Sequence, residues 1–124
     1  MLKNIVLIPL LITASSAFGN DKALSPALTL RCAPCHGPDL NGVGGVFPSL
    51  MTSQLVKSGD FDGVIKFITH GSPADSQSLV KMPAKGGHLD LGDEEIRDIA
   101  KQVIELAKNY VEKKAPATAS REGY

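Results

Sequence analysis

The chain has 124 residues, enough for one domain, and its 43% hydrophobic and 21% charged content is ordinary globular usage, which excludes wholesale disorder. Thirteen basic side chains balance thirteen acidic ones, so the basic excess expected of a nucleic-acid binder is absent. Two cysteines are too few for a multi-bridge disulfide scaffold, and with no Trp and 5% aromatics the filling for a core is thin.

Residues 1–19 read as a cleaved secretory signal. Lys3 supplies the positive start, Ile5 to Ile12 the apolar stretch, and Ala17-Phe18-Gly19 the small side chains before a cleavage point at Asn20. As a membrane anchor the stretch is shorter than the ~20 residues that span a bilayer, and Pro9 interrupts it. Export predicts an oxidising, periplasmic setting and no stable membrane insertion after cleavage. Without residues 1–19 the chain carries a formal charge of −1. A core this small usually needs a staple or a cofactor.

Ser25-Pro26 signals a helix start, and the helix should run from Ala27 to about Cys32, where Pro34 ends it. Residues 37–49 are rich in Gly and Pro and form a long loop, of the kind that usually serves a function. Gly42-Val43-Gly44 has no preceding strand, and Phe47 stands where a dinucleotide fingerprint needs its third glycine. A short helix is expected within Met51 to Lys57. A clearer one spans Phe61 to His70, capped by Asp60, with Phe61, Val64, Ile65 and Ile68 on one face and Gly71 as its stop. Residues 71–92 make a second loop around Lys81-Met82-Pro83. The last helix begins near Asp93-Glu94-Glu95 and carries Ile96, Ile99, Ala100, Val103, Ala107 and Tyr110 as one apolar stripe. From Lys113 to Tyr124 the pattern is that of a polar, disordered tail. The expected fold is all-α, with three to four short helices and long loops, in a domain spanning residues 20–112.

Cys32-Ala33-Pro34-Cys35-His36 is the motif that carries chemistry. A C-x-x-C-H run is the attachment signature of c-type haem. Two thiols three residues apart at a helix end reach the two vinyl groups of one porphyrin edge, and the following His turns its imidazole under the iron. The macrocycle then supplies the missing core. Three other readings compete. A Cys32–Cys35 disulfide would close a tiny loop and add little stability. A thioredoxin-like pair wants a βαβ context, and a zinc site wants two further ligands where only the distant His70 and His88 remain.

The chain resembles a class I monohaem cytochrome c of the small bacterial type, from about Ser25 to Val111. The likeness rests on Cys32-Ala33-Pro34-Cys35-His36-Gly37, Phe47-Pro48-Ser49-Leu50, the Met82-Pro83 loop and the acid-capped last helix. It implies one covalent haem c on Cys32 and Cys35, with His36 as the proximal iron ligand and Met82, 46 residues on, as the distal one. Met51, His70 and His88 are the rival distal donors. Met51 suits packing, His70 suits a solvated helix end, and His88 shares the Met82 loop. The family uses a proline carbonyl to hold the proximal imidazole, and Pro48, twelve residues after His36, stands there; an ordinary loop proline is the alternative. The family also packs its first and last helices through a small residue and an aromatic. Here those would be Ala23 or Ala27 and Tyr110, although the usual glycine is missing.

The resemblance implies outer-sphere transfer of one electron through a His/Met-ligated iron, without substrate chemistry of its own. Redox proteins are the expected partners of a monomer. A subunit of a periplasmic dehydrogenase or oxidase complex is the alternative. A haem-based sensor or peroxidase with a labile Met82 is the reading from a different class. Lys57, Lys81 and Lys85 would steer an acidic partner or be scattered solvated lysines.

Overall fold

The computed structural model describes residues 23–114. The expected signal at 1–19 and the tail from 115 onward lie outside them. Five helices follow in order: α1 (Pro26–Arg31), α2 (Ala33–His36), α3 (Gln54–Lys57), α4 (Phe61–His70) and α5 (Asp93–Lys114), with a 3₁₀ turn at Ala84–Gly87 before α5. Among the described residues the only β pairing formed by the backbone is an isolated bridge between Val43 and Phe47, so the fold is all-α.

The first helix starts as its sequence demands: the Ser25 hydroxyl accepts the Leu28 N–H at 3.3 Å and Pro26 takes the first helical position. Its end differs from expectation. Pro34 does not stop the helical path but sits in the first turn of α2, where its missing N–H has no intrahelical partner to lose. The chain bends at Cys32 instead, between two short helices whose backbones remain hydrogen-bonded through Cys32 N to Leu28 O at 3.0 Å and His36 N to Cys32 O at 2.9 Å. The short third helix covers only the last part of Met51–Lys57. Asp60 caps α4 by accepting the Gly63 N–H at 2.9 Å. At the far end, α5 continues through Lys113 and Lys114, two residues beyond the expected domain boundary at 112.

The core is built on α5. Ile96, Ile99, Ala100, Val103, Ile104 and Ala107 are buried, the expected stripe widened by Ile104, while Tyr110 is half-buried at its margin. Burying a side chain such as Ile99 contributes roughly 1.5–3 kcal/mol. Leu28 of α1, Val56 of α3 and Val64 of α4 meet this stripe, joined by Leu40, Met51 and Leu91 from the connecting segments. The helices α1, α3 and α4 all pack on α5, and α4 also packs on the 3₁₀ turn. Ala23 borders a shallow hollow with Gln102, Glu105 and Leu106, whereas Tyr110 borders a different one with Met51, Thr52 and Lys57. Tyr110 thus neighbours the α3 side, and Ala27, like Tyr110, packs against the core at its margin. No helix among the described residues is long and apolar enough to cross a membrane.

Candidate functional site

The α1–α2 bend puts the Cys-x-x-Cys-His run on one short turn of chain. Cys32 is half-buried, Cys35 is exposed, and the two are not joined in a disulfide. Burial pushes the Cys32 thiol up to about 11, and the neighbouring Cys35 adds to the effect. His36 is 9% exposed, the one buried polar side chain among the described residues.

His36 Nδ1 lies 2.8 Å from the Pro48 carbonyl oxygen. A carbonyl can only accept, so Nδ1 carries the proton and Nε2 keeps its lone pair in the neutral ring. The loop that brings Pro48 there closes on itself. Gly42 N donates to His36 O at 2.8 Å, Val43 N to Phe47 O at 3.1 Å, and Leu50 N to Leu40 O at 2.8 Å. Gly42 adopts φ +88°, and a Cβ on it would run into the Phe47 carbonyl oxygen and lie 2.9 Å from Ser49 N. No other residue permits this approach. Leu40, lodged in the same Gly-rich loop, is fully buried with φ +59°, a backbone strain that its packing offsets.

The second loop returns Met82 to the end of α4. Met82 is half-buried, and the methyl end of its side chain lies 3.7 Å from where a Cβ on Gly86 would stand. Gly71, expected only as a helix stop, does more: a Cβ there would strike the Met82 carbonyl oxygen and come within 2.7 Å of the Pro83 carbonyl carbon.

The rival donors have other surroundings. Met51 is 4% exposed within the core. His70 is exposed at the end of α4. His88 Nδ1 lies 3.3 Å from Arg31 Nη1, and since a guanidinium can only donate, that lone pair is already taken. No group of three or more His, Cys, Asp or Glu side chains able to hold a metal ion occurs among the described residues.

Arg31, next to Cys32, escaped the sequence reading. It binds Asp90 through both carboxylate oxygens, at 3.2 and 2.8 Å, and approaches Glu95 at 3.5 Å. It therefore ties α1 to the loop before α5 and to the first turn of α5. The bond from Arg31 holds the Asp90 carboxyl below the usual carboxylate range. A charge pattern alone could not reveal this, because the partners lie about sixty residues apart.

The residues present fit a covalently held haem. Two unlinked cysteines precede an imidazole whose outer nitrogen is fixed by a carbonyl. The two flanking loops expose Val43, Val46, Leu79 and Val80, with Leu79 as much as 91% exposed. Apolar side chains so exposed on two loops suit a large apolar group.

Neither a curated protein nor a solved structure matches the chain. A family model described as "Cytochrome C oxidase, cbb3-type, subunit III" matches residues 27–101, from within α1 to the middle of α5 and across both loops. A match over more than half of the chain, enclosing the whole Cys32–His36 turn, shows that the protein belongs to this family of c-type cytochrome domains and transfers electrons through a haem.

Proposed function

We propose that the chain is an exported, single-haem, one-electron carrier, with residues 1–19 as its signal and 20–112 as its cytochrome domain. Cys32 and Cys35 form thioether bonds to haem c, His36 is the proximal iron ligand and Met82 the distal one. The bond from His36 Nδ1 to Pro48 O at 2.8 Å carries the reading, because a ligating imidazole needs its other nitrogen fixed by such a partner.

When bound, the haem supplies a reversible one-electron couple at iron. The chain supplies the rest. Pro48 holds the His36 ring in the tautomer that leaves Nε2 available and raises its basicity. The Met82 thioether, a soft donor, favours reduced iron and raises the potential. As the residues that would hold the iron, His36 and Met82 would limit access of small molecules to it, so that the haem would supply electron transfer without substrate chemistry. Thioether links from Cys32 and Cys35 keep the group attached outside the cytoplasm.

The family's description favours a second reading, in which the chain serves as the electron-transfer subunit of an oxidase or another periplasmic complex. Absorption spectra of the matured protein test the ligand set. Narrow α and β bands on reduction and a weak thioether charge-transfer band on oxidation are expected. Oxidised protein without that band would overturn Met82. Size exclusion separates the two roles: a free carrier elutes as a monomer, whereas a subunit co-elutes with its complex.

A further inference from the structure

The loop between α4 and the 3₁₀ turn is tied at its ends by one residue. The Ser72 N–H donates to the Met82 carbonyl at 2.9 Å. The Met82 N–H in turn donates to the Ser72 hydroxyl at 2.9 Å. Both backbone polar groups of Met82 are therefore satisfied by the same residue. No β-strand among the described residues neighbours this loop, so the hydroxyl takes the place of a ladder partner. Gly71 makes the approach possible, since any side chain there would collide with the Met82 carbonyl.

We infer that Ser72 is a positioning residue for Met82, holding the backbone from which the thioether extends and setting how readily Met82 yields to a competing ligand. The inference rests on Met82 being the distal ligand, as proposed above. Loss of the hydroxyl leaves the Met82 N–H without its partner only while the loop is closed, because an opened loop exposes that group to water. Detachment of Met82 therefore becomes easier, although the Ser72 amide still holds the carbonyl.

The test is an imidazole titration of the oxidised, matured, full-length protein, following loss of the thioether charge-transfer band. Ser72→Ala should bind imidazole about fivefold more tightly than wild type, the scale of one intramolecular hydrogen bond. Ser72→Thr, which keeps the hydroxyl, should restore the wild-type affinity. Equal affinity in wild type and Ser72→Ala overturns the role of Ser72. Met82→Ala separates this failure from that of the underlying reading: if wild type lacks the thioether band and Met82→Ala leaves the spectrum unchanged, the ligand assignment itself falls. Should Ser72→Ala not mature, amide exchange on the wild-type protein decides. A protected Met82 N–H supports the inference, and one exchanging at the rate of an open loop contradicts it.

Discussion

The Pro48 carbonyl accepts the Nδ1–H of His36 at 2.8 Å across twelve residues of chain, and Gly42 makes that reach possible. The accepting atom belongs to the backbone, so its place depends on the loop path more than on the identity of residue 48. Gly42→Ala forces a Cβ into the Phe47 carbonyl at φ +88°. It should destabilise the protein by about 1–3 kcal/mol, read from chemical denaturation. Pro48→Ala retains the carbonyl and should cost less.

Replacing Met82 by Ala removes the soft donor proposed for the iron. The reduction potential should fall by on the order of 0.1 V, and the reduced protein should bind carbon monoxide at neutral pH. Potentiometry on the matured variant checks this, and an unchanged potential excludes Met82.

Arg31 holds the Asp90 carboxyl below its ordinary pKa. A carboxylate with a depressed folded-state pKa stabilises the fold above the unfolded pKa, and that contribution disappears as pH falls through the folded pKa. Asp90→Asn should therefore unfold more easily than wild type at neutral pH. The two denaturation midpoints should converge in the acid range, below the ordinary pKa of Asp. The pair is exposed, so the neutral-pH difference is small.

Lys81 Nζ donates to Ala74 O and Lys85 Nζ to Leu91 O. Both ammonium groups are tethered to their own loop, and Lys57 borders Tyr110 instead. This arrangement, with balanced charge overall, favours solvated or structural lysines over a steering patch. Electron-transfer rates should change by no more than about twofold between low and physiological salt. Stopped-flow kinetics with a soluble redox protein would reveal a steep salt dependence if steering operates.

The parts legible in the sequence are those with local causes. The stripe on α5 recurs at helical spacing, Ser25 and Asp60 cap the helices that follow them, and Cys32 to His36 form one contiguous motif. The α1–α2 bend was missed because Pro34 reads equally well as a helix stop and as a first-turn residue. Leu40 was hidden in a glycine-rich loop, where its full burial follows from tertiary packing alone. Ser72 and Arg31 were invisible for the same reason: their partners are set by how the loops fold back, which no residue spacing encodes.

The central claim is covalent attachment of a haem through Cys32 and Cys35, and intact mass spectrometry of the matured protein tests it most directly. The account predicts a mass exceeding the processed polypeptide by one haem, with neither sulfur open to alkylation. A mass equal to the bare polypeptide, with both thiols alkylated, would contradict it.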